Sequence, residues 1–166
     1  MRFALAPMTR DLVVLTLVCL AVPVILALCG HDAPPPIGVM LYAVSAMVAA
    51  TYAAIWLVAR PTAFVVDGGA LEIVWPVRRR RIEASAITGA RVLDRAQLRA
   101  ELGRLVRVGA GGLFGGFGRA RTLRGTFELW VSRTDRIVWV ECTGRMPLLV
   151  TPDDPDAFVA ELMKRR

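Results

Sequence analysis

Two uncharged stretches stand near the start of the chain, and the pattern of apolar positions changes character after them. From Ile37 to Ala59 the sequence IGVMLYAVSAMVAATYAAIWLVA runs for 23 residues without a charge. At 1.5 Å per residue a helix of that length covers about 34 Å, enough for a hydrocarbon core of about 30 Å with some tilt. Tyr52 and Trp56 lie near its end, where amphipathic rings favour an interface, and Arg60-Pro61 stops it. An earlier run, Leu12 to Cys29, holds 18 uncharged residues behind Arg2, Arg10 and Asp11. It predicts a second, shorter span. A signal peptide shares the basic start and apolar middle. The run ends without an Ala-x-Ala pattern, however, and a lipoprotein box would need a small residue where Leu28 stands. A retained helix is the favoured reading.

Gly30 to Pro36 is a short polar connection between the two runs, which predicts an antiparallel helical hairpin with spans at about 12–29 and 37–59. The connection carries no Lys or Arg, whereas Arg2 and Arg10 precede the hairpin and Arg60 and Arg78 to Arg81 follow it. By the positive-inside rule both termini are expected in the cytoplasm, with the hairpin in the inner membrane. Ala46, Ala50 and Ala54 form one small-residue row on the second helix and Ser45, Ala49 and Ala53 the next. Such rows let helices approach closely where lipid supplies no hydrophobic drive. Packing within the hairpin is the first expectation, contact between subunits the second.

From Thr62 onward the period becomes that of strands. Ala63 to Val66, the turn Asp67-Gly68-Gly69, and Ala70 to Trp75 predict a hairpin, because the glycines supply positive φ at the turn. Pro76 ends its second strand. Arg78 to Arg81 open a third strand through Ile82 and Glu83, and Ile87 to Leu93 gives a fourth. Strict alternation would hide two of the four arginines, so the run is expected at a turn or strand end. Arg95 to Leu105 has helical spacing at Leu98, Leu102 and Leu105. Thr126 to Ser132, Ile137 to Cys142 and Pro147 to Thr151 predict a three-stranded meander. Asp154, Pro155 and Asp156 then open an amphipathic helix with Phe158, Val159, Leu162 and Met163 on one face. The division expected is a hairpin over residues 1–60 and one cytoplasmic domain over 61–166.

Composition sharpens this division. From Arg60 onward there are 19 Lys and Arg against 12 Asp and Glu, which accounts for the whole formal net charge of +7. Such a surface favours anionic partners. Aromatic residues do not interleave with the arginines, so nucleic acid is not the expected partner. Cys19, Cys29 and Cys142 form no C-x-x-C pair and imply neither a disulfide framework nor a zinc site. His31, the single histidine, lies in the connecting loop, where Cys29 and Asp32 are too close in sequence to build a metal cage. Gly109 to Gly118 holds six glycines in ten residues, but no G-x-G-x-x-G register passes through them and no G-K-[ST] follows. A flexible loop or strand bulge, with Leu113, Phe114 and Phe117 as its apolar contacts, is expected there. With no poised nucleophile, base or cofactor motif, no catalytic, cofactor or metal site is expected.

Short strands followed by one amphipathic C-terminal helix resemble the pleckstrin-homology (PH) architecture, and residues 60–166 look like the bacterial PH domains attached to membrane helices. The carriers are Phe64-Val65-Val66-Asp67-Gly68, the glycine run into Gly118, Leu129-Trp130-Val131-Ser132, and Val150-Thr151-Pro152-Asp153-Asp154-Pro155-Asp156-Ala157-Phe158. The resemblance implies a mainly β barrel of about seven antiparallel strands, closed by the C-terminal helix, and it carries over no catalytic residue. The function expected is a membrane-anchored binding or scaffolding module that recruits a protein partner or a second copy, or senses anionic lipid headgroups through Arg78, Arg79, Arg80 and Arg81. The alternative is an accessory subunit of a membrane enzyme or transporter, working through the hairpin.

Overall fold

The structure, a computed structural model, describes residues 1–102, 106–111, 114–122 and 125–164. A short strand, β1 (Arg2–Ala4), leads into α1 (Arg10–Asp32), and α2 (Pro35–Ala54) returns beside it and leaves through a π-helical turn at Ile55–Ala59. Both helices are long and apolar enough to cross a membrane. Their connection is tighter than the expected Gly30–Pro36 loop. Gly30 to Asp32 continue α1, while Pro35 and Pro36 occupy the first turn of α2, where a missing N–H costs no helical bond. Gly38 permits that closeness, since a Cβ there would lie 2.7 Å from the Gly30 carbonyl oxygen. Deeper in the hairpin, the Ser45 hydroxyl donates to the Pro23 carbonyl at 2.7 Å, while Ala49 and Ala53 of the same row are exposed.

Among the described residues ten strands form two separate sheets. The first has the order β1-β2-β3-β4, with β2 (Ala63–Asp67), β3 (Ala70–Val74) and β4 (Arg79–Ile82). Gly68 and Gly69 take positive φ at the β2–β3 turn, as the Asp-Gly-Gly sequence requires. The second contains β5 (Ile87–Leu93), β6 (Val106–Gly111), β7 (Gly116–Thr122), β8 (Gly125–Val131), β9 (Ile137–Cys142) and β10 (Leu148–Val150), in the order β5-β9-β10-β8-β7-β6. Two short helices complete the fold, α3 (Arg95–Leu102) and α4 (Pro155–Leu162).

Three expectations are corrected here. In place of a barrel of about seven antiparallel strands the described residues form an open pair of sheets with ten strands, and β8 and β10 run parallel. The expected meander does not form, because β10 inserts between β8 and β9. Its three residues, Leu148, Leu149 and Val150, are all buried, and a run apolar on both faces belongs inside a sheet rather than at its edge. The glycine run is largely strand, since Gly109 pairs with Gly118 and Gly111 with Gly116 across a β6–β7 hairpin. Leu113, like Leu105 in the expected helix, lies outside the described residues.

The first sheet draws on residues from both sides of the helical hairpin. Arg2, Phe3 and Ala4 pair with Val65, Phe64 and Ala63, although the sequence reading assigned the first 60 residues to the hairpin alone. Ala6 N–H then donates to the Thr151 carbonyl at 2.8 Å, and the buried Ser132 hydroxyl donates to the Ala6 carbonyl. Helix α4 closes over this junction. Asp154 caps it by accepting from Ala157 N–H at 3.1 Å, and Pro155 takes its first position. Phe158, wholly buried, meets Phe3 and Phe64 edge-on at centroid distances of 5.4 and 6.1 Å. The core continues without a break toward the hairpin, where Cys19, Tyr52, Ile55 and Ala59 pack against it.

Candidate functional site

The four consecutive arginines do not act as one patch. Strand β4 begins at Arg79, so Arg79 and Arg81 point outward while Arg80 and Ile82 point in. The expected turn or strand end is therefore a strand, and its single inward charge is matched from a distant element. Arg80 Nη1 donates to Glu128 Oε2 of β8 at 2.7 Å. Arg79 faces Glu72 at 3.9 Å, and Arg81 reaches Glu83 at 3.3 Å and Asp67 at 4.0 Å. Three of the four charges thus have acidic neighbours.

Arg78 differs. It closes the turn Trp75-Pro76-Val77-Arg78, in which Trp75 N–H donates to the Arg78 carbonyl at 2.8 Å, and its guanidinium lies over the Trp75 ring, 4.4 Å from the centroid. Trp75 Nε1 donates to the carbonyl of Ala59, the last residue of the π-helical turn, at 3.1 Å. The tip of the β3–β4 hairpin is therefore fastened to the exit of α2, with Val77 exposed at its end. Trp75 also stacks edge-on with Trp130 of β8, which ties the second sheet to the same place.

A second arginine–tryptophan pair stands beside the first. Arg60 Cζ lies 4.3 Å from the centre of the Trp56 ring, one turn back along the helix. Among the described residues no carboxylate lies within ion-pair distance of Arg60, its Nε has no hydrogen-bond partner, and burial lowers its pKa from the ordinary arginine value. Trp56 in turn meets Phe114 edge-on at 4.7 Å. Phe114, at the tip of the β6–β7 hairpin with φ of 60°, donates its backbone N–H to Thr16 Oγ1 of α1 at 3.1 Å. Thr16 is six residues inside α1, so this tip reaches about 9 Å along the helix. Phe114, Pro23, Leu20, Tyr52, Trp56 and Leu57 line an open groove of about 410 Å³ whose exposed wall is apolar throughout.

The sequence reading singled out Arg78 to Arg81 as the lipid contacts; it placed Trp56 and Arg60 at the end of the second span and Phe114 among the apolar contacts of the glycine run, without joining them into a site. Trp56-x-x-x-Arg60 at helical spacing and Trp75-Pro-x-Arg78 at turn spacing were the available signals for the two pairs; nothing local tied Phe114 to them. His31 and Asp32 are exposed at the opposite end of the hairpin. Among the described residues no group of three His, Cys, Asp or Glu is placed to hold a metal ion. The Cys142 thiol, half buried on β9, has its pKa raised by burial, opposed by Arg145 and Arg80 and reinforced by Glu128.

A family model described as bacterial PH domain matches residues 62–166. The chain belongs to the bacterial PH domain family. The match starts just before β2, so the PH domain of this chain carries two additions ahead of it, the apolar hairpin and β1, and β1 completes the edge of its first sheet. Searches of curated proteins and of solved structures give no match.

Proposed function

We propose that this protein is a non-catalytic PH-like binding module held at the inner face of the cytoplasmic membrane by its helical hairpin. The observation that carries the reading is the pairing of β1 with β2. Residues before α1 and after α2 share one sheet, so the hairpin enters and leaves the PH domain at a single surface. The outer faces of both helices support the membrane assignment. Val14, Leu17, Val39 and Met47 are each more than 60% exposed, an apolar surface that lipid covers without cost and water does not. Two arginines stacked on tryptophans at the helix exit suit the polar boundary of such a bilayer, where amphipathic rings and cations concentrate. The arginine asymmetry around the hairpin supports the cytoplasmic orientation.

The module's partner is proposed to be a protein, docked on the PH domain rather than on the hairpin. Site-specific photocrosslinkers in the full chain test this. One set goes at exposed domain positions such as Asp135 and Arg145, the other at exposed hairpin positions such as Met47 and Ala50. Adducts from the domain set support the module. Adducts from the hairpin set alone shift the reading to an accessory subunit, and release of the protein by carbonate wash removes the anchor altogether.

A further inference from the structure

We propose that the groove between α1, α2 and the tip of the β6–β7 hairpin is a binding site for one anionic phospholipid, with an acyl chain along the groove and the phosphate at Arg60. The proposal deepens the membrane reading above and rests on it. The groove is wholly apolar, and its volume of about 410 Å³ falls within the 300–1,000 Å³ common for ligand sites. Along α2 it runs from Trp56 back to Ala49, seven residues or about 10 Å, which keeps it inside one leaflet of about 15 Å.

Charge complementarity identifies the occupant. At the water end of the groove, Trp56 forms its wall and carries the Arg60 guanidinium on its ring. Arg60 is half buried without an acidic neighbour among the described residues, in contrast to Arg79, Arg80 and Arg81. A cation left unneutralised at the mouth of a dry groove fits an amphiphile with an anionic head. A phosphate offers the guanidinium a bidentate acceptor, and its charge offsets the cost of the partial desolvation. An apolar helix from a partner would fill the groove but leave Arg60 unmatched. Phe114 is held in place by the bond from its N–H to Thr16, so the groove wall it forms is present without the lipid.

The test uses the full chain in phosphatidylcholine nanodiscs doped with acyl-brominated phosphatidylglycerol or acyl-brominated phosphatidylcholine, reading quenching of tryptophan fluorescence. The parent is expected to reach half-maximal quenching at a mole fraction on the order of fivefold lower for the anionic lipid, the preference one arginine near a lipid phosphate provides. Arg60→Gln removes the preference while leaving quenching by both lipids. Ala53→Phe, on the exposed groove wall and so of little consequence for folding, weakens quenching by both. Equal quenching of the parent by the two lipids, or an unchanged preference in Arg60→Gln, overturns the proposal. An inserted protein that neither lipid quenches also overturns it, and crosslinked dimers would then give the groove to a second copy. A protein extracted by carbonate and quenched by neither lipid brings down the membrane reading as well.

Discussion

Replacing Phe3 by alanine tests the most unexpected contact in the fold, because residue 3 precedes the first apolar helix yet belongs to the core of the PH domain. Phe3 is 6% exposed and its ring meets Phe158 edge-on at 5.4 Å. Truncating a buried Phe in a well-held core costs about 3–5 kcal/mol. β1 has only three residues and forms the sheet edge, so it can peel away rather than hold an open cavity, which puts the expected loss near 3 kcal/mol. For a domain of this size that lowers Tm by about 10–20 °C. The assay is thermal unfolding of the full chain in nanodiscs, followed by near-ultraviolet circular dichroism. Phe3→Leu with Phe158→Leu in a double-mutant cycle should return a coupling of about 1 kcal/mol for the ring pair. A Phe3→Ala protein that melts within about 2 °C of the parent, less than 1 kcal/mol should produce, would mean that β1 contributes nothing to the domain.

The four arginines should separate on substitution. Arg80→Gln leaves Glu128 partly buried without its cation and is expected to cost about 1–3 kcal/mol in denaturant unfolding, whereas Arg79→Gln and Arg81→Gln stay within about 0.5 kcal/mol of the parent. Gly38→Ala forces a methyl group against the Gly30 carbonyl and should destabilise the hairpin by about 1–3 kcal/mol, measured by steric trapping of the two helices; an unchanged hairpin would refute the close crossing. The raised pKa of Cys142 predicts a pH dependence. The unfolded chain releases the thiol proton first, so this group's contribution is intact below the ordinary thiol value and declines as pH rises through that value toward the folded one. Cys142→Ser should flatten that alkaline decline, and a parent and variant with identical stability profiles above neutral pH would exclude it.

What the sequence revealed follows the range of the interactions involved. The β2–β3 hairpin, β5 and α4 were legible because their signals are local: an Asp-Gly-Gly turn, an alternating run, and a helix that starts at Asp154-Pro155. β1 was hidden because Arg-Phe-Ala has no period of its own and its partner lies about 60 residues away, beyond two helices. The order of strands was equally out of reach. Leu148 to Val150 reads as a strand, but nothing in those three residues says that they slip between β8 and β9. The arginine run shows the same limit from the side of electrostatics. Alternation argued against burying a charge in a strand, and the argument failed for want of Glu128, a carboxylate 48 residues further on. The groove-side residues share this cause, since Trp56, Phe114 and Thr16 meet only in the folded chain.

The pairing of β1 with β2 also sets a clock on biosynthesis. Residues 2–4 leave the ribosome well before their partners, since Ala63–Val65 are made about 60 residues later, which at about 5–20 residues per second is a wait of about 3–12 s. On the proposed membrane reading, both apolar helices enter the bilayer and turn back in that interval. Strand β1 can add to the sheet only if its end of the chain has stayed on the side where the PH domain will emerge. On that reading, a chain in which only one of the two helices crossed would strand β1 across the membrane from its partner, leave the outer edge of β2 unpaired, and expose an open strand edge of the kind that invites aggregation. With the hairpin in a bilayer as proposed, the domain completes its first sheet only on chains whose two helices have both crossed, so its folding doubles as a check that the anchor has turned back.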